Sequence, residues 1–197
     1  MTKVISLCAA IVILLCLRAE AIDFGLYGSL GSGTADWKGS TIFSGYQSYQ
    51  MRSRLTGAGC MIDTAVAPEG LFNYRLNAGY EALVFKSRDA PRSIRMNSLV
   101  VDQDFGFAIQ EPGTKHRIWI GPELRVAYAR GRSSLSTSER FTMIGLGLGP
   151  AIGVNIRLAD SFPVSFKASY LWTEYSEPLG DYYDGRSLAF GMAVFFR

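Results

Sequence analysis

Large apolar residues alternate with small or polar ones along most of the chain after residue 21. The alternation is clearest over residues 72–84 and at the end of the chain, where every second residue from 188 to 196 is Leu, Phe, Met or Val. A period of two is typical of β-strands. We expect eight strands, at about 22–27, 54–66, 72–84, 98–109, 118–128, 144–156, 164–173 and 187–196.

The segments between these strands differ in length. Long polar segments at about 30–51, 85–95, 129–140 and 174–186 alternate with short turns at 67–70, 110–116 and 157–161. No stretch after residue 21 has the roughly 18 continuous apolar residues of a membrane-spanning helix. The pattern predicts an all-β fold: a transmembrane, antiparallel, eight-stranded up-and-down β-barrel with long loops at one end.

The two alternating sets of side chains predict which face of the barrel meets lipid. The apolar set is too bulky for the interior of an eight-stranded barrel, which has room only for modest side chains. The other set does not suit a water-exposed surface, because the last strand contributes only Ser, Ala and Gly to it. We therefore expect small and polar residues inside, apolar residues facing lipid, and aromatic residues such as Tyr128, Tyr170, Trp172 and Tyr175 at the membrane interface.

The first 21 residues have the features of a secretory signal peptide. Lys3 precedes an apolar run that ends near Leu17, and Ala19-Glu20-Ala21 fits the small-x-small pattern of a cleavage site. We expect residues 1–21 to be removed and residues 22–197 to form one barrel domain. Their removal takes away two basic residues and one acidic residue and lowers the net charge from +3 to +2. That charge, together with export, argues against nucleic acid as a partner.

The alternation that ends on Phe196 resembles the C-terminal signal read by the barrel assembly machinery of Gram-negative bacteria. With the signal peptide and the eight strands, the chain resembles small outer-membrane barrels of the OmpA-transmembrane, OmpX and Ail type. The resemblance is architectural. It implies a monomer in the outer membrane of a Gram-negative bacterium, in contact with outer-membrane lipid and lipopolysaccharide, and with the assembly machinery during biogenesis.

Seven charged residues occupy inward positions of the predicted strands. They are Arg75, Glu81, Asp102, Asp104, Glu123, Arg125 and Lys167. Because unpaired charges are costly in a confined space, we expect a salt-bridged plug. Arg125 is predicted to meet Asp102 or Asp104 from the neighbouring strand, and Arg75 to meet them from the other side. A catalytic or ion-conducting arrangement of the same residues is the alternative.

The sequence offers little support for catalysis. Asp102 and Asp104 are predicted to stand about 7 Å apart on one strand face, a spacing open to acid–base chemistry on a sugar or to a cation site. The one histidine, His116, is predicted to lie in a short periplasmic turn. We expect no enzymatic activity, no metal and no cofactor. An outer-leaflet enzyme acting on lipid A or a surface polymer, and a narrow pore, are the alternatives.

The predicted long loops are the remaining place for function. The loops at 85–95 and 129–140 are basic, and their candidate binding residues are Lys86, Arg88, Arg92, Arg95, Arg130 and Arg132. Guanidinium groups suit phosphate, so we expect these residues to pair with lipopolysaccharide. The favoured hypothesis is a non-enzymatic barrel with a structural or adhesion role, whose loops contact lipopolysaccharide or an external partner.

Overall fold

The computed structural model of the chain is a single closed β-barrel. The structure describes residues 22–39, 47–64, 71–87, 93–109, 116–133, 140–159, 162–176 and 182–196. The predicted signal peptide lies outside these residues, as do Arg88 and Arg92. No helix in the described part of the chain is long and apolar enough to cross a membrane.

Eight antiparallel strands follow one another around the barrel in chain order. They are β1 (Asp23–Gly39), β2 (Gln47–Asp63), β3 (Phe72–Ser87), β4 (Ser93–Ala108), β5 (His116–Ser133), β6 (Arg140–Ala159), β7 (Phe162–Ser176) and β8 (Tyr182–Phe196). β1 pairs with β8 and closes the barrel, so no strand edge is left open. The predicted all-β, eight-stranded up-and-down barrel is confirmed. We call the end at which β1 ends and β2 begins the upper end.

Large apolar side chains cover the outside of the barrel below its upper end. On β5, the five residues Ile118, Ile120, Leu124, Val126 and Tyr128 are 38–46% exposed, and the residues between them, apart from the exposed Pro122, face inward. This apolar belt spans about ten residues of the strand, which is the length that a tilted strand needs to cross the hydrocarbon of a bilayer. The predicted outward direction of the apolar set is confirmed in this part of the barrel.

The strands extend further at their upper ends than the sequence predicts, and much of the predicted long loops is β-structure. β1 continues to Gly39, and β2 covers Gln47–Asp63 instead of about 54–66. The alternation persists there with inverted polarity: Arg52 and Arg54 face outward, whereas Met51 is buried inside. Because its polar face points outward, this part of the strand lacks the lipid-facing pattern and resembles a loop in sequence.

The upper interior is filled by large apolar side chains, contrary to the prediction that only small and polar residues face inward. The ring centroid of Trp37 lies 6.0 Å from that of Phe85, 5.6 Å from that of Phe141 and 5.5 Å from that of Tyr183. Tyr175, predicted to lie at the membrane interface, faces inward and is 1% exposed. We call this buried group the upper cluster; it also contains Met51, Leu83, Ile94, Met96 and Met143. The absence of a side chain at Gly145 leaves space for the Tyr175 ring, which lies where a Cβ of that residue would be.

Replacing Gly153 by alanine is expected to lower the free energy of unfolding by about 1–3 kcal/mol, the usual cost of overpacking an interior. A Cβ at Gly153 would lie 2.5 Å from the ring of Trp119, which is fully buried and has no space to retreat into. Gly28→Ala is the matched control, since a Cβ there meets nothing nearer than 3.9 Å. Urea unfolding in detergent micelles measures both, and equal stability of the two variants would contradict this packing.

Candidate functional site

Arg125 on β5 is the centre of a charged network inside the barrel. Its guanidinium group donates to both oxygens of Asp102, at 2.7 and 2.9 Å, and to both oxygens of Glu81, at 2.9 and 3.0 Å. All three side chains are buried. A planar guanidinium group can bind two carboxylates in this way, which an ammonium group cannot. The contact predicted between Arg125 and Asp102 is present, and Glu81 is a further partner from the non-adjacent strand β3.

Lys167 on β7 reaches the other two carboxylates of the network. Its Nζ lies 3.2 Å from both oxygens of Asp104 and 3.0 Å from Oε2 of Glu123. Oε1 of Glu123 lies 3.9 Å from Nη2 of Arg125, which links the two halves. We call these six residues the interior network. Its four carboxylates and two cations give it a formal charge of −2.

Arg75 does not contact Asp102 or Asp104, and that prediction is wrong. Its guanidinium group donates to Asp63 at 2.7 and 2.9 Å and to Asn155 at 3.0 Å. The register allows either contact, because Asp63 on β2 and Asp104 on β4 both pair directly with Arg75. Arg75 binds Asp63, whereas Asp104 binds Lys167. Asp63 is fully buried. Because the apolar pattern of β2 is irregular, the contact between Arg75 and Asp63 could not be predicted from the sequence.

The residues considered for catalysis are engaged or remote. Asp102 binds Arg125 at 2.7 Å and Asp104 binds Lys167 at 3.2 Å, so both carboxylates are paired within the interior network. His116 is not in a turn but is the exposed first residue of β5, at the end of the barrel opposite the upper end. Among the described residues, no group of three or more His, Cys, Asp and Glu side chains is arranged to hold a metal ion.

Three arginines lie side by side on the outer surface above the apolar belt. Arg95 on β4 pairs directly with Arg132 on β5, which pairs directly with Arg140 on β6, and all three side chains are exposed. We call them the arginine row. Directly opposite residues of neighbouring strands have Cβ atoms about 4.5–5.5 Å apart, and like charges in such positions are destabilising. The row is therefore unfavourable for the barrel alone and becomes favourable when an anion lies against it.

Further basic side chains extend this surface. Arg52 on β2 pairs directly with Lys86 on β3, and both are exposed. Arg130 lies below the arginine row, and its guanidinium group donates to the hydroxyl of Tyr128 at 3.1 and 3.2 Å. Arg54 faces outward two residues from Arg52.

The structure corrects the predicted position of the basic residues. Lys86, Arg95, Arg130 and Arg132 are strand residues, not loop residues, because the strands continue past the apolar belt. Arg52 and Arg54 are not among the binding residues predicted from the sequence. Their spacing in the sequence could have indicated them, because two residues that are two positions apart face the same side of a strand. Arg130 and Arg132 have the same spacing.

The opposite side of the upper rim carries carboxylates. Asp184 on β8 pairs directly with Glu174 on β7 and with Asp36 on β1. Glu174 and Asp184 are exposed, and Asp36 is partly exposed. The basic side chains from β2 to β6 thus face a side, from β7 to β1, that carries this acidic row together with the exposed Arg186 on β8.

Comparison with known proteins finds neighbours in structure only. No protein-family model and no curated protein matches the chain. Neisserial surface protein A is 16% identical, with 86% of this chain and 96% of that one covered and a TM-score of 0.47. Ail, the attachment invasion locus protein of Yersinia pestis, is 13% identical, with 87% and 98% covered and a TM-score of 0.40. The outer membrane protease OmpT of Escherichia coli is 8% identical, with 91% and 97% covered and a TM-score of 0.42.

Small outer-membrane barrels, the class that the sequence resembles, are thus among the structural neighbours of this chain. The likeness lies in barrel architecture, which the strand order of this chain already establishes. Structural likeness at this level of identity shows the fold alone, so any conclusion about function depends on the side chains of this barrel.

Proposed function

We propose that the protein is a non-enzymatic barrel of the outer membrane of a Gram-negative bacterium, and that its upper rim binds the phosphate groups of lipopolysaccharide. The arginine row above the apolar belt is the observation that carries the proposal. On β5 the belt ends at Tyr128, and the basic residues begin at Arg130. In a bilayer, this order puts the basic residues at the depth of the lipid headgroups.

The apolar belt supports residence in a membrane. It includes exposed large apolar residues from every strand except β2, among them Leu30, Leu99, Leu146, Trp172 and Phe190, each at least 47% exposed. Soluble monomers rarely expose contiguous apolar patches larger than a few hundred Å². A closed barrel also leaves no unpaired strand edge in hydrocarbon, which is the requirement for a β-structure that spans a bilayer.

The chemistry of the arginine row favours phosphate as its ligand. A guanidinium group forms paired hydrogen bonds to a phosphate and keeps its charge at any physiological pH. Three such groups on adjacent strands offer more donors than one phosphate can accept. The headgroup of a lipopolysaccharide with more than one phosphate is therefore a better match than a lipid with a single phosphate.

The interior supports a closed barrel more than a pore or an enzyme. The upper cluster fills the upper half of the interior, and the interior network crosses the middle. Asp102 and Asp104 are bound to Arg125 and Lys167, so neither carboxylate is free to act on a substrate. Both observations favour a role at the rim.

Replacing Arg95, Arg132 and Arg140 together by alanine is expected to weaken binding to lipopolysaccharide about 100-fold, since each basic side chain near an anionic surface contributes about 1 kcal/mol. Surface plasmon resonance with the refolded protein in detergent measures the affinity. Arg186→Ala, an exposed arginine on the acidic side of the rim, is the control and should bind as the unchanged protein does.

Two results would overturn the proposal. One is an unchanged affinity of the triple variant, which would exclude the arginine row as the binding surface. The other is the absence of binding by the unchanged protein at low salt, which would point to a protein partner instead.

A further inference from the structure

Arg52, Arg54 and Lys86 form a second basic group on the outer surface, which we call the β2–β3 patch. Arg52 and Lys86 pair directly on neighbouring strands, and Arg54 faces the same side two residues closer to the apolar belt. All three side chains are exposed, and within the described part of the chain none of them forms an ion pair. Like charges this close repel one another, so the patch becomes more favourable when an anion lies against it.

The patch has a surface hollow of its own. The hollow has a volume of about 440 Å³ and is lined by Arg52, Arg54, Val84, Lys86 and Ser87. A larger hollow of about 850 Å³ lies against the arginine row and shares none of these residues. Both volumes fall within the range of about 300–1,000 Å³ that is typical of small-ligand sites. The rim therefore offers two separate places for an anionic group.

The register places the patch and the arginine row at the same level above the apolar belt. From β3 to β6, the upper edge of the belt is a row of directly paired, exposed residues: Tyr80, Leu99, Tyr128 and Ile144. Four residues above this edge, Arg54 pairs with Val84 and Val84 with Arg95, so Arg54 continues the arginine row beyond one uncharged position. Neighbouring strands lie about 4.8 Å apart, so about 10 Å separates the backbone of Arg54 from that of Arg95.

We propose that one lipid A headgroup bridges the two basic groups, with one phosphate on the arginine row and a second phosphate on the β2–β3 patch. This inference rests on the proposed function and specifies its ligand as two phosphates held apart by a disaccharide. Val84 supplies no charge between the two groups, and the uncharged sugar needs none there. The two contacts reinforce each other, because binding of the first phosphate raises the effective concentration of the second.

The affinities of the refolded protein in detergent for lipid A with two phosphates and for lipid A with one phosphate test this bridge. The form with two should bind about 100-fold more tightly, as expected for three further basic side chains at an anionic surface. Replacing Arg52, Arg54 and Lys86 together by alanine should lower the affinity for the form with two phosphates about 100-fold and leave the affinity for the other form unchanged. This patch variant should then bind both forms alike. Arg186→Ala is the control and should keep the preference for two phosphates.

Each contrary result has a distinct meaning. A patch variant that still prefers two phosphates about 100-fold would overturn the bridge and leave the proposed function standing, because the arginine row alone would then bind both phosphates. Two lipid A molecules per barrel in native mass spectrometry, reduced to one in the patch variant, would also overturn the bridge, since each basic group would hold its own ligand. No binding of either form by the unchanged protein at low salt would overturn the proposed function, and the bridge with it.

Discussion

Replacing Arg125 by alanine is expected to destabilise the barrel by about 3–5 kcal/mol, the cost of removing one partner from a buried ion pair. Arg125 holds Asp102 and Glu81 through four hydrogen bonds of 2.7–3.0 Å. Without the guanidinium group, two buried carboxylates lose their partner and must either stay charged without one or take up protons, and both cost free energy. Urea unfolding of the refolded protein in detergent, followed by fluorescence, measures the loss.

Arg132→Ala is the matched control for this change. Arg132 lies on the same strand but is exposed, and substitutions at such surface positions usually change stability by no more than about 0.5 kcal/mol. Adding Glu81→Gln and Asp102→Asn to Arg125→Ala should recover part of the stability, since the stranded charges are then gone. Equal stability of Arg125→Ala and Arg132→Ala would contradict the central place of Arg125 in the interior network.

Replacing Trp37 by alanine is expected to cost about 3–5 kcal/mol, the usual range for a large aromatic residue removed from a core. The Trp37 ring is 1% exposed and packs against Phe85, Phe141 and Tyr183. Its removal leaves a cavity in the upper cluster that rigid strands cannot close. Urea unfolding under the same conditions measures the change in stability.

Trp172→Ala is the matched control for the loss of a tryptophan. Trp172 is 47% exposed in the apolar belt, where surrounding lipid or detergent can fill the space that the ring leaves. A smaller loss than for Trp37→Ala is expected. A Trp37→Ala variant that is no less stable than Trp172→Ala would show that the upper cluster does not hold the upper strands together.

The lipid-facing strand centres could be predicted from sequence because one physical rule governs them. Hydrocarbon outside and polar residues inside impose a strict alternation, as between Phe72 and Val84 on β3 or Ile118 and Tyr128 on β5. The rule stops applying where the strands leave the apolar belt. Above the belt the outer face is polar and the interior is apolar. The alternation is therefore reversed, and it does not predict Trp37 as a core residue.

Contacts within the interior were predictable only between neighbouring strands. Arg125 and Asp102 pair directly on β5 and β4, so their strand phases allow the contact to be predicted, although Arg75 and Asp104 also pair directly and bind other residues. Glu81 reaches Arg125 from β3, and Lys167 reaches Asp104 from β7, across the barrel. Such contacts depend on the diameter of the barrel and on the stagger of its strands, and neither can be deduced from the alternation of apolar and polar residues.

The arginine row illustrates the same limit on the outer surface. Arg95 and Arg132 are predicted from the sequence to be basic rim residues, but in two separate loops. Only the register of β4, β5 and β6 shows that they stand side by side with Arg140. Placement on paired strands also fixes the spacing of the three side chains more rigidly than loops do, and such preorganisation lowers the entropic cost of binding.

The most direct measurement is the affinity of the refolded protein for lipopolysaccharide before and after enzymatic removal of its lipid A phosphates, at low and at high salt. Tight binding of the phosphorylated form is expected, weakening as salt screens the charges, with little binding of the dephosphorylated form. Equal binding of the two forms, independent of salt, would contradict recognition of phosphate by the arginine row.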